Sequence, residues 1–439
     1  MNDLAAAITA VRNIEFAHVH GQVRRAGGPA VEIEGLGRAA CMGARVEIER
    51  GGDAALLAEI VSADRNCALA MPFAAAEGLS PGARVWLRGR APTISPSGDW
   101  LGRVVDGLGR AVDDKGGLRG GQRPRLVRAG PPPAAARAKL GPRLETGVAA
   151  IDLFTPLCEG QRLGLFSGSG VGKSVLSGML ARFTDCDVAV IGLIGERGRE
   201  VREFIEDELG AAGLAKSVVV VATSDESAVM RRQAAWTTLS IAEHFRDEGK
   251  RVFCLMDSVT RFAHACREIG LAAGEPPTTR GFTPSVFAEL PRLLERAGPG
   301  PVGSGSITGL FSVLVEGGDM EEPVADAVRG ILDGHVLLSR RISARGRYPA
   351  IDLLGSLSRS ADKAQDEDER ALVRDARALL ATHGDMAELV RLGAYKPGAN
   401  ADVDRAVAAA PKIEALVTQA RHERRELATI RTELEGAMA

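Results

Sequence analysis

The sequence predicts an α/β protein built around a parallel sheet, with a small β-barrel or sandwich before it and helices after it. Three observations carry this. Residues 18 to 90 are short β-rich pieces separated by glycine turns. From about residue 145, continuous apolar runs of strand length alternate with amphipathic segments. Beyond about residue 360 the chain is rich in Ala, Leu, Glu and Arg. At 439 residues the chain exceeds one compact core, and its boundaries read as 1–90, 91–360 including a linker, and 361–439.

The first module comprises "HGQV", "AVEIEGLG", "RVEIER", "LLAEIVSA", "CALAMPF" and "ARVWLRG". Their close spacing leaves no room for crossover helices. A Pro, Gly and Arg rich stretch, "GGLRGGQRPRLVRAGPPPAAARAK", follows and reads as an extended, solvated linker, its Arg119, Arg123, Arg125 and Arg128 facing water. Then come "RLGLF", "DVAVIGLIG", "SVVVVA" and "RVFCLMD", runs that suit strands buried on both faces. Between them "EVREFIEDELGAAG" places Val201, Phe204, Ile205 and Leu209 on one helical face, with Gly210 as a stop. At the end of the chain, Pro411 reads as a first helical position. Leu416, Ala420, Leu427, Ile430 and Leu434 then form one stripe facing the core.

Composition narrows the function. With 55 basic and 57 acidic side chains, no global field draws the chain to nucleic acid or an anionic membrane. No run approaches the roughly 18 apolar residues of a membrane span, and "LAAAITAV" lacks the charged lead of a secretory signal, so a cytoplasmic protein is expected. The six cysteines include no C-x-x-C pair and read as small buried hydrophobes. His18 and His20 form an H-x-H without further ligands and read as strand or surface residues.

The chemistry starts at "LFSGSGVGKSVL". Apart from Ser167 in the place of the first glycine, it matches the phosphate-binding signature G-x-x-x-x-G-K-[ST], and it lies between an apolar strand and a helix-compatible segment. Gly168, Ser169, Gly170, Val171 and Gly172 can turn their amides onto phosphate oxygens, ahead of Lys173, Ser174 and Val175 at a helix start. Lys173 reaches the outer phosphates and Ser174 offers a hydroxyl to Mg²⁺. A small serine at the first position can be accommodated. Asp257 ends an apolar strand, where a carboxylate can hold Mg²⁺, and Glu196 ends another, where it can orient and deprotonate water. A P-loop nucleotidase core binding ATP and Mg²⁺ is therefore expected.

Further segments, "GLIGERGREV", "LMDSVTRFA", "GEPPTTRGFTPSVFAELPRLLERAG", "GSITGLFSVLVEGGD", "ILDGHVLLSRR" and "YPAIDLLGSLSR", resemble the catalytic subunits of rotary-type ATPases, whose core is RecA-like. In order and wording they are most similar to the type III export ATPases, the flagellum-specific branch above all. The resemblance implies that Lys173, Ser174, Glu196 and Asp257 play the parts just given. It also implies that Arg197 stands near the γ-phosphate, Tyr348 packs on the adenine, and Arg359 is an arginine finger offered to a neighbouring subunit. One chain with both glutamate and finger implies a homohexamer. The implied setting is the cytoplasmic base of the inner-membrane export apparatus, peripheral to its gate. The implied partners are a stator-like regulator at the N-terminal region, a coiled-coil stalk protein, and export substrates with their chaperones, but no nucleic acid.

Three rivals define the alternatives. A virulence-type secretion ATPase shares every motif. A ring-shaped RNA translocase shares the core but needs aromatic and basic stacking residues, and residues 18 to 90 hold only Phe73 and Trp86. A non-catalytic nucleotide-binding subunit would not need Glu196 and Arg359.

Overall fold

All six β-rich pieces of the first module become strands. They are β1 (His20–Gly27), β2 (Ala30–Glu34), β3 (Arg45–Ile48), β4 (Leu56–Ala63), β5 (Cys67–Pro72) and β6 (Arg84–Gly89). The computed structural model describes residues 19–52, 54–89, 91–315 and 319–438. The strands close into a barrel in the order β1-β2-β5-β4-β3-β6, with β6 paired back to β1, so no edge is left open. Alternation fills it: Val31 and Ile33 point inward while Glu32 and Glu34 do not.

The second module is a sheet of β7 (Arg103–Asp106), β8 (Arg162–Ser167), β9 (Val188–Glu196), β10 (Ser217–Thr223), β11 (Arg251–Asp257), β12 (Ser306–Leu314), β13 (Gly334–Leu338) and β14 (Leu357–Ser358). Their order across the sheet is β14-β13-β8-β12-β11-β9-β10-β7, parallel except for β14. Helices α1 (Lys173–Phe183), α2 (Ala228–Asp247) and α3 (Val259–Ala272) connect its strands. The apolar runs are continuous because alternate residues feed two different cores. Val218, Val220, Val252 and Cys254 pack with α2 and α3, whereas Val219, Val221, Phe253 and Leu255 pack with α1 and the C-terminal helices.

Half of the predicted linker is anchored rather than solvated. Val127 is fully buried; Arg128 pairs with Glu59 and Glu289, and Arg125 with Asp247. Of the four arginines, only Arg119 and Arg123 are exposed. Glycine and proline composition reports the lack of regular structure but not the carboxylates that wait on other elements.

After a four-residue helix α4 (Arg340–Ser343), the chain ends in α5 (Glu367–Arg391), α6 (Ala401–Leu416) and α7 (Leu427–Met438). Pro411 is not the first helical position expected, and the stripe that follows it is divided between two helices. Asn400 caps α6, accepting from the amides of Asp402 and Val403, and the alanine-rich stretch that follows is itself a strong helix former, so Pro411 falls inside the helix. Buried Gln419 then pins the turn after α6 to the core through the Ala149 amide and the Gly147 carbonyl. Ala420 is exposed, while Leu416, Leu427, Ile430 and Leu434 belong to the second core. Cys158, Cys254 and Cys266 are buried as expected, but Cys41, Cys67 and Cys186 only in part. His20 is exposed on β1, and His18 lies outside the described residues, as does the "LAAAITAV" segment. Among the described residues no helix is long and apolar enough to cross a membrane.

Candidate active site

Ser167 does not need to be glycine, because it is still strand. It ends β8 in regular ladder register with Leu314 and Leu338, and its carbonyl accepts from the Val315 amide at 2.9 Å. Its side chain is buried, the hydroxyl having no partner among the described residues. The turn starts one residue later. Gly170 and Gly172 take φ of 77° and 89°, conformations open to glycine at little cost, and Gly172 is the residue from which α1 starts. Val171 turns into the core, while Ser169, Ser174 and Val175 line a cavity of about 750 Å³ together with Gly168, Gly170, Gly172 and Lys173.

Three charged groups meet beneath this loop. Lys173 Nζ donates to Asp257 Oδ1 at 2.5 Å and to Glu196 Oε1 at 3.5 Å, and Ser312 Oγ donates to the same Asp257 oxygen at 2.8 Å. Parallel strands β9 and β11 are neighbours, so their C-terminal residues Glu196 and Asp257 reach the edge where β8 hands over to the loop. The side chains of Lys173, Glu196 and Asp257 are 12%, 15% and 5% exposed. Burial raises the Glu196 carboxyl, the Asp257 charge raises it further, and Lys173 offsets this only in part, leaving it at about 7. Burial alone would lower the Lys173 ammonium, but the two carboxylates outweigh it and hold it above its ordinary value.

The remaining predicted residues divide. Arg197, 81% exposed at the side chain, lines the same cavity and lies 3.7 Å from Glu200. The half-exposed Tyr348 ring lies 3.5 Å from where a Cβ on Gly172 would be, so it borders the loop. Arg359 does not reach this cavity. It lines a separate one of about 270 Å³ with Asp326, Arg329 and His335. A larger cavity of about 1600 Å³ between barrel and sheet, bordered by Phe73, Leu108 and Arg231, contains none of the predicted site residues.

Known proteins resemble this chain over most of its length. Residues 147–358 match the nucleotide-binding domain of the ATP synthase alpha/beta family, and residues 365–436 the C-terminal domain of the EscN ATPase of type III secretion systems. The flagellum-specific ATP synthase of Caulobacter vibrioides is 51% identical over 96% of both chains. That of Bacillus subtilis is 44% identical over 92% of both. The chain belongs to the flagellum-specific ATP synthase family. The type 3 secretion system ATPase of Xanthomonas euvesicatoria is 51% identical over 82% of this chain and 80% of its own. In three dimensions the chain superposes on the assembled ATPase EscN from enteropathogenic E. coli with a TM-score of 0.90, at 37% identity, covering 95% of this chain and all of that one.

The cavity also holds residues that motif reading passed over. Arg261 lies four residues after Asp257, on the first turn of α3, and its Nε is buried without a partner among the described residues. Its place in the same strand-turn-helix as Asp257 was the available signal. Thr260, His264, Glu322 and Arg340 line the cavity as well, and for Glu322 and Arg340 sequence distance from the loop hides the contact.

Proposed function

We propose that the chain is the Mg²⁺-dependent ATPase of a flagellar type III export apparatus, acting as a homohexamer in the cytoplasm, at the inner-membrane export apparatus. The observation that carries the chemistry is the meeting of Lys173 with Glu196 and Asp257 under the loop. Incoming phosphates compete with the carboxylates for Lys173. Asp257 and the Ser174 hydroxyl are then free to hold Mg²⁺, which supplies charge neutralisation at the phosphates. The donor set fits: both are hard oxygen ligands, and among the described residues no group of three or more His, Cys, Asp or Glu is placed to hold a metal by itself. A site that relies on phosphate oxygens for the rest suits Mg²⁺. Glu196, with its carboxyl near neutrality, accepts a proton from the attacking water and orients it for in-line attack. Tyr348 offers a face for the adenine.

Arg359 lines a different cavity from the phosphate loop of its own chain, which supports its being offered to the next subunit. The related EscN has been solved as an assembled ATPase and with its central stalk EscO. By that likeness we assign this chain a ring with a coiled-coil stalk at its centre. A stator-like regulator would engage the N-terminal region, whose residues 1–18 lie outside the described residues. Export substrates and chaperones complete the partners. The virulence-type secretion ATPase is the second reading, since the Xanthomonas relative is as similar over the part it covers. The flagellar relative aligns over more of both chains, and flagellar genes beside this one would decide the matter.

Glu196→Gln tests the reading. It should retain ATP binding and lose at least about 10²-fold in phosphate release, within the usual range for a general base. Turnover at the wild-type rate would remove Glu196 from the mechanism.

A further inference from the structure

The segment 339–350 is a closed loop. At its base the Ser339 amide donates to the Ala350 carbonyl at 2.9 Å, and Leu338 bridges to Ile351. It rises from β13, the strand paired with β8, and so stands beside the phosphate loop. One of its arms carries Arg340 and the other Tyr348. Tyr348 borders Gly172 at the end of the phosphate loop, and Arg340 lies on its beginning: a Cβ on Gly168 would sit 3.2 Å from Arg340 Nε. Arg340 Nη2 also donates to the Ser169 carbonyl at 3.4 Å. The segment therefore straddles the phosphate loop at both ends.

We propose that Arg340 is a positioning residue for nucleotide binding. This rests on the reading that the loop holds the phosphates. In a trans peptide the carbonyl and the next amide point opposite ways. Holding the Ser169 carbonyl toward the guanidinium turns the Gly170 amide to the other side, where it can join the amides that cradle phosphate. A flat guanidinium can lie on the Cα of Gly168 and donate to the neighbouring carbonyl at once; an ammonium cannot. A methyl group on residue 168 would press on the guanidinium, 3.2 Å from Nε, and push it off this position. Arg340 is exposed, so its removal should cost little stability.

The test is calorimetric binding of ATP and of ADP by the full chain in the Glu196→Gln background. Arg340→Ala should weaken both nucleotides alike, by about tenfold, with an unchanged melting temperature in the absence of nucleotide. Arg340→Lys should not restore binding. Gly168→Ala should reproduce the loss, and the double variant should be no worse than either single one, since the two act through one contact. Affinity within twofold of the parent, a loss confined to ATP, or additive losses would each overturn the role. Lys173→Ala separates the two levels. If it abolishes binding while Arg340→Ala does not, only the Arg340 role fails; if it binds normally, the phosphate-loop reading fails and the Arg340 role with it.

Discussion

Glu196 is a residue whose environment changes its chemistry. A carboxyl raised to about 7 is partly protonated at neutral pH, and only its ionised form accepts a proton from water. The acid limb of kcat/KM should therefore rise with pH through about 7, and steady-state phosphate release between pH 5.5 and 8.5 will show it. A flat profile over that range would contradict the assignment. The same shift has a stability consequence of defined sign. The folded state holds this proton more tightly than the unfolded chain, where the ordinary value is 4.5, so the group's contribution to stability falls as pH rises from about 4.5 through 7. Glu196→Gln should flatten that part of a urea-denaturation series. Identity and strand-end position made Glu196 legible in the sequence. Its perturbed proton was not, because burial and the neighbouring Asp257 are facts of packing.

At the scale of elements, the barrel and the sheet read well from the sequence, and the connection between them did not. Glu59 on β4 is 2% exposed at its side chain, and it faces three arginines: Arg232 of α2 at 2.5 Å, Arg45 of β3 at 3.3 Å and Arg128 of the linker at 3.3 Å. Burial lowers the Arg45 guanidinium to about 10 against the pull of Glu59. One carboxylate thus joins the barrel, the linker and α2. Glu59→Ala would leave the arginines without it and should cost about 3 to 5 kcal/mol, read as a lowered urea midpoint. A loss below 1 kcal/mol would show that water or relaxation replaces the pair. In the helices, local signals misled where two competed: Pro411 looked like a start, but Asn400 caps the helix earlier, and Gln419 pins the turn that follows its end at Leu416.

For the whole molecule, the separation of Arg359 from its own phosphate loop sets the expectation. An arginine finger contributes about 10³ to 10⁵ in rate. Arg359→Ala and Lys173→Ala chains, each almost inactive alone, should recover ATPase activity when mixed, because a Lys173→Ala subunit can give its finger to an intact phosphate loop. Activity per chain should also rise with protein concentration. Mixed samples no more active than either variant would argue against sites shared between subunits.

The sequence by itself determined the layers and most of the chemical inventory. Closely spaced β-rich pieces mark a barrel, doubly apolar runs mark a covered parallel sheet, and the glycine loop with its lysine and serine matches the phosphate-binding signature, all within short stretches of chain. Only the tertiary structure decided which distant groups meet. Lys173 lies between Glu196 and Asp257, Arg340 and Tyr348 border the two ends of the loop, and Arg359 lines a separate cavity. Such meetings depend on strand order and burial, which bring together residues far apart in the chain, and no local pattern encodes them.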